Sequence, residues 1–128
     1  MAKTMEATKR VERKRRVRKH QAKPMALRQF LKITQEAFAR LVGVSLRSVA
    51  RWEKGEVQPD SGKREKLDFL LSISRRLEDL MDREHIADWL TTPNPEFLNK
   101  PPVDLVQSKY SRHVLEQELD RAEWGIPG

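Results

Sequence analysis

The sequence predicts an all-α protein in which an N-terminal bundle, built on two short helices and a glycine turn, precedes a smaller helical module. Three observations carry that prediction. Apolar residues recur three and four apart between Leu27 and Ala122, the spacing of one helical face. Residues whose side chains can accept a bond from a free backbone N–H stand ahead of these runs, at Thr34, Ser45, Asp60 or Ser61, and Ser111. Glycine and proline separate the runs, at Gly43, Gly55 to Pro59, Pro93 to Pro95 and Pro101-Pro102.

Residues 1–23 stand apart by charge. They carry ten Lys/Arg against two Glu, a balance of +8, whereas residues 24–128 carry sixteen Lys/Arg against seventeen Asp/Glu, a balance of −1. The net +7 therefore belongs to the N-terminal segment and not to the folded body. Like charges repel and little apolar surface is present, so this segment is expected to be a disordered basic arm. It suits either a strand that follows nucleic-acid phosphates or enters a minor groove, or a solubilising tail ahead of an internal start at Met25.

Pro24 breaks that run, and Met25 to Leu31 reads as a first helix with Leu27, Phe30 and Leu31 on its apolar stripe. Thr34 caps a second helix that buries Phe38, Ala39, Leu41 and Val42. Gly43 supplies the positive φ that ends it, and Val44 fills the space under the turn. Ser45 caps a third helix, which starts at Leu46, turns Val49 and Trp52 inward and leaves Arg47, Ser48 and Arg51 outward. This is the layout of a helix-turn-helix, whose second helix enters the major groove of DNA.

Pro59 prevents the third helix from continuing. Asp60 or Ser61 caps a long helix reaching to about Met81, with Leu67, Leu70, Leu71, Ile73, Leu77, Leu80 and Met81 at helical steps. Its first part covers the helix-turn-helix core. From Leu77 onward it is free to meet a second copy or the following module. Residues 24–82 are accordingly expected to form one unit and 83–128 another.

In the second unit, Ile86, Trp89 and Leu90 make a short helix that stops before Pro93, and Thr92-Pro93-Asn94-Pro95 makes a rigid turn. Phe97 and Leu98 follow, and Pro101-Pro102 opens a helix through Val103, Leu105 and Val106. Ser111 is expected to cap a final helix with Val114, Leu115, Leu119 and Ala122 on one side. Gly125 closes it and Ile126 folds back.

The first unit resembles a known family. Thr34-Gln35-Glu36, Phe38-Ala39, Leu41-Val42-Gly43-Val44-Ser45, Val49 and Trp52-Glu53-Lys54-Gly55 are similar to the Xre/Cro helix-turn-helix regulators over roughly residues 25–72. The resemblance implies a lambda-repressor-like bundle that binds double-stranded operator DNA as a homodimer. Arg47 and Arg51, one turn apart, point into one groove, where the guanidinium fork matches guanine O6 and N7. Leu46 is placed to touch a thymine methyl, and Gln35, Ser45, Ser48 and Lys54 to hold phosphates. By the resemblance, Gln35 binds a phosphate at the N-terminus of its helix. Arg40 reads as solvated, Trp52 as core, and Glu53 either as one half of a structural ion pair or as a cap on a neighbouring element.

The second unit has its own resemblance. Trp89-Leu90, Pro93-Asn94-Pro95, Leu98, Pro101-Pro102-Val103-Asp104-Leu105-Val106, Val114, Glu118-Leu119, Arg121 and Gly125-Ile126 are similar to the toxin-binding domain of Xre/MbcA/ParS-type antitoxins, over roughly residues 84–127. Asn99-Lys100 stands where the family usually has a Gly-Gly pair, and a glycine near Tyr110-Ser111 is absent. The resemblance implies an antitoxin that binds a RES-domain toxin, an NAD-consuming enzyme, and represses its own operon. It assigns Arg121, Trp124, Gly125, Ile126 and Pro127 to the part that blocks the toxin's active-site opening. Trp89 is expected in the core and Trp124 at the interface. The rival reading is a stand-alone Xre-family repressor that uses residues 83–128 to dimerise or to bind another partner.

Composition excludes several other classes. With 38% hydrophobic and 35% charged residues among 128, only modest cores are available, which favours a partner or a dimer. The absence of cysteine removes disulfides and thiolate metal sites. No apolar run approaches the ~20 residues that cross a bilayer. No apolar segment follows the basic N-terminus as a secretory signal requires, so a cytoplasmic protein is expected. His20, His85 and His113 are scattered, and Glu116, Glu118, Asp120 and Glu123 read as a solvated helix face around Arg121. No nucleophile motif, phosphate-cradling loop or metal spacing is present, so neither catalysis nor a cofactor is expected.

Overall fold

The computed structural model describes residues 23–123, and every regular element among them is helical. The expected basic arm, apart from Lys23, and Trp124 to Gly128 lie outside the described residues. Six α-helices follow in order: α1 Pro24–Leu31, α2 Gln35–Val42, α3 Leu46–Glu53, α4 Ser61–Glu78, α5 Arg83–Thr91 and α6 Lys109–Glu123. Two 3-10 helices, Pro95–Phe97 and Pro102–Gln107, connect α5 to α6.

The caps explain the first four boundaries. Pro24 opens α1, where a missing N–H costs nothing, instead of only breaking the run before it. Lys32, at φ 57°, closes α1 in the left-handed region. Thr34 Oγ1 accepts from the Ala37 N–H at 3.1 Å, Ser45 Oγ from Ser48 at 3.0 Å, and Asp60 Oδ1 from Lys63 at 2.8 Å. Gly43 sits at φ +80° and its N–H reaches the Ala39 carbonyl at 2.9 Å, so a residue with a Cβ would be strained there.

Two boundaries differ from expectation, and one helix is of the tighter 3-10 kind. Helix α4 ends at Glu78, where the Asp79, Leu80 and Met81 N–H groups turn back to carbonyls at Arg76 and Leu77, three residues short of the expected end. Helix α6 begins at Lys109, capped not by Ser111 but by Ser108, whose Oγ accepts the Ser111 N–H at 3.1 Å. Two serines three apart each offer a capping oxygen; the upstream one has the extended backbone a cap requires, at φ −138° and ψ 158°. The Pro101-Pro102 segment forms a 3-10 helix, not a full α-helix.

The connecting loop is pinned by Asn94. Its Oδ1 accepts the Glu96 N–H at 3.0 Å and its own N–H reaches the Lys100 carbonyl at 3.1 Å. Leu98 and Asn99 then take φ 58° and 62°. Asparagine tolerates that region through its short polar side chain, whereas leucine costs about 1–2 kcal/mol there. The left-handed pair therefore stands one position ahead of Asn99-Lys100, where the family resemblance puts two glycines.

The buried apolar residues run as one cluster through both halves. Leu27, Leu31, Phe38, Val42, Val49 and Leu67 belong to it, as do Leu77, Ile86, Leu90, Phe97, Val106, Leu115 and Leu119. Leu77 is fully buried within the chain. Helix α5 packs on α1 and α4, with the Arg83 guanidinium 4.2 Å from the centroid of the Phe30 ring. Helix α6 is fixed to α4 by Arg112, which donates to Glu65 at 2.7 Å and to the Val106 carbonyl at 2.8 Å.

Helix α4 also buries Ser74 completely, and its Oγ has no hydrogen-bond partner among the described residues. An unsatisfied buried hydroxyl costs about 1–3 kcal/mol. Ser74→Ala is expected to stabilise the fold by about 1 kcal/mol, raising Tm by about 4–8 °C in a thermal melt.

Candidate nucleic-acid interface and C-terminal surface

Helix α3 is held with one face inward. Val49 is fully buried and Trp52 nearly so, which places Trp52 in the core and turns the opposite face outward. On that face Leu46 is 44% exposed, enough for an apolar contact with a base methyl. Arg47 and Arg51 are both exposed, one helical turn apart. Arg47 makes no ion pair among the described residues. Arg51 Nε lies 3.5 Å from Glu56 Oε2, an exposed contact that water and salt weaken. Lys54 is exposed at the C-cap of α3. Arg40 is exposed on α2.

The hydroxyls expected to meet phosphates also serve the fold. Ser45 Oγ donates to Ser48 Oγ at 2.9 Å while accepting the Ser48 N–H, so the two form one closed cap. Gln35 Nε2 donates to Glu53 Oε1 at 3.1 Å. Its amide has two N–H donors, so one remains for a further acceptor.

Glu53 accepts three hydrogen bonds from two side chains, Arg28 and Gln35. Arg28 Nε reaches its Oε2 at 2.7 Å and Arg28 Nη2 its Oε1 at 2.8 Å, while Arg28 Nη1 donates to the Ile33 carbonyl at 3.1 Å. The expected ion pair of Glu53 is thus a two-pronged fork from α1. Hydrogen bonding by Arg28 holds the Glu53 carboxyl below the usual glutamate range, against the opposing effect of burial, and the carboxylate in turn raises Arg28. No spacing rule points to a partner twenty-five positions upstream.

Lys66 is a further residue that sequence reasoning missed. It is 7% exposed, and its ammonium donates to the Val42 carbonyl at 2.6 Å, at the C-terminus of α2, where the helix dipole favours a cation. Burial pushes its pKa down, with the positive charges of Lys63 and Arg112 adding to the effect. Its position was legible: Lys66, Leu70, Ile73 and Leu77 share one stripe, so a charged residue occupied a core register.

At the other end of the molecule, α6 lies against α4. Arg76 Nη2 donates to Asp120 Oδ1 at 2.6 Å and Arg76 Nε to Glu123 Oε1 at 2.7 Å. These bonds, Glu123 first, raise the Arg76 pKa. Two of the four acidic residues read as a solvated face therefore tie helices together. A third, Glu118, pairs with Arg121 at 3.1 Å. Arg121 is exposed, whereas Trp124, Gly125, Ile126 and Pro127 lie outside the described residues. Ala122, expected on the packed side, is exposed.

Trp89 is half-buried and meets Phe97 edge-to-face, with ring centroids 6.2 Å apart. Both border a groove of about 330 Å³ between the end of α4, α5, the first 3-10 helix and the last turns of α6. No group of three or more His, Cys, Asp or Glu placed to hold a metal is found among the described residues. No described helix is long and apolar enough to cross a membrane.

Fold and surface together define a helix-turn-helix protein with an exposed arginine pair on its second motif helix and a further helical module packed behind it. Residues 25–68 match the helix-turn-helix family, and residues 76–125 match the antitoxin Xre/MbcA/ParS C-terminal toxin-binding domain. The second match begins at Arg76, inside α4, so the residue that binds Asp120 and Glu123 falls within it. The mycobacterial cidal antitoxins MbcA of Mycobacterium tuberculosis and Mycobacterium bovis are 32% identical over 85 residues, covering 66% of this chain and 75% of theirs. The chain belongs to the Xre-type helix-turn-helix antitoxins with an MbcA/ParS C-terminal domain. A toxin and DNA are the two partners those domains imply.

Proposed function

We propose that this protein is a type II antitoxin that neutralises a RES-type, NAD-consuming toxin through residues 83–128 and represses its own operon through residues 24–82. It acts in the cytoplasm as a homodimer within a larger toxin–antitoxin complex, carries no catalytic site and needs no cofactor. The observation that carries the reading is the presence, in one chain, of a helix-turn-helix match and a toxin-binding-domain match in that order. Leu46, Arg47 and Arg51 read bases; Gln35, Ser45, Ser48 and Lys54 fix the phosphates. Arg121, Trp124, Gly125, Ile126 and Pro127 meet the toxin at the mouth of its active site. The basic arm, residues 1–23, adds affinity on any DNA sequence.

Co-expression with the neighbouring-gene product tests both halves. A stable complex that no longer depletes NAD is expected, and deletion of residues 121–128 is expected to restore depletion. Inhibition that survives that deletion refutes the role given to the tail. A footprint on the operon's promoter is expected to show a palindrome with half-sites about 34 Å apart, one helical turn. Uniform protection refutes sequence-specific repression.

A further inference from the structure

The groove beside the end of α6 combines a buried apolar floor with an open edge. Leu77, Phe97 and Leu119 are each 5% exposed or less and form the floor. Leu80, 41% exposed, and Ala122 stand at the edge. Asn94, Glu96 and Glu118, whose side chains carry acceptor oxygens, also line the groove. An apolar slot with acceptors beside it suits an indole, whose body is apolar and whose single N–H needs an acceptor when buried.

Such a group is adjacent in the chain. Ala122 lines the groove, Glu123 is the last residue of α6, and Trp124-Gly125-Ile126-Pro127-Gly128 follows. That segment has no charged side chain and two large apolar ones. One residue advances the chain about 3.3–3.6 Å, so Trp124 has the reach without any change in α6. The glycine after it permits the reversal that would lay Ile126 beside the exposed Leu80. A segment tethered this closely meets the groove at an effective concentration of about millimolar.

We propose that this groove is the seat of the chain's own Trp124–Ile126 segment, which docks there when no partner is bound. The docking stands independently of the toxin reading above. Where that reading also holds, the toxin takes the segment out of the groove, and the groove competes with it.

The absence of cysteine from the chain makes a direct test available. Leu80→Cys with Ile126→Cys in the full-length protein, without toxin, is expected to form an intrachain disulfide on mild oxidation, seen by mass spectrometry and non-reducing electrophoresis. Glu116→Cys, exposed on α6 away from the groove, paired with Ile126→Cys is the control for random reach. The disulfide between positions 80 and 126 is expected to form at least about tenfold faster than the control bond. Adding Trp124→Ala is expected to erase the difference. Equal rates at the two positions, a difference that persists without Trp124, or a disulfide only between two chains overturns the proposal. No toxin enters this assay, so its outcome and that of the NAD-depletion experiment are independent.

Discussion

Replacing Arg47 and Arg51 together with alanine is expected to cut operator affinity by roughly 30- to 10⁴-fold, while affinity for a scrambled duplex falls only a few-fold. The range follows from two bidentate guanine contacts at about 1–3 kcal/mol each and about 1.4 kcal/mol per tenfold. Both guanidinium groups are exposed on the face of α3 opposite Val49 and Trp52, so their loss leaves the core intact. Arg51 is the less free of the two, because Glu56 stands 3.5 Å from it. That contact is exposed on both sides, so giving it up for another partner costs little. Arg40→Ala, which removes an exposed charge from α2, serves as the comparison and is expected to weaken both duplexes alike. Anisotropy titrations at one fixed salt concentration measure all of this, since phosphate contacts make affinity salt-dependent. Equal losses on operator and scrambled DNA would contradict base reading by α3.

The helix-turn-helix was legible because its signals are local. Thr34 and Ser45 cap helices that start one residue later, Gly43 turns between them, and Phe38, Val42 and Val49 have no other place than the core. The C-terminal half was legible as an order of residues more than as a pattern of faces. Its elements are short, and proline gave the start of the second 3-10 helix without saying that it would be tight. What stayed hidden depends on contacts between distant segments. Arg28 and Glu53 meet across twenty-five positions and Arg76 and Asp120 across forty-four, and nothing in the spacing of charges announces such pairs. The groove was hidden for the same reason, since four separate segments build it. Of the two occupants expected for the long helix from Leu77 onward, a second copy or the following module, it is the module that covers it, since α5 and α6 fold back on it. Leu77 ends buried, and the exposed apolar surface begins only at Leu80.

Glu53→Ala is expected to destabilise the fold by about 2 kcal/mol, lowering Tm by about 10 °C. Glu53 is the last residue of α3, where the helix dipole disfavours a negative charge. Its side chain is only 8% exposed, so solvent does little to offset that. The Arg28 fork makes the position tolerable: two charge-assisted bonds at 2.7 and 2.8 Å satisfy both carboxylate oxygens, and Gln35 adds a third bond. Removing the carboxylate strands a guanidinium that is only 20% exposed, and frees Gln35 from its position at the start of α2. Arg28→Lys keeps the charge but loses the fork and is expected to recover only part of the stability. The pH dependence has a definite sign. Because the folded-state pKa of Glu53 is lowered, its contribution is fully present above the ordinary glutamate range and is lost as pH falls through the lower folded value. Urea melts of wild type and Glu53→Gln across the acid range should therefore converge as pH falls. A constant gap between them at every pH would mean that the Arg28 fork does not recognise the ionised carboxylate.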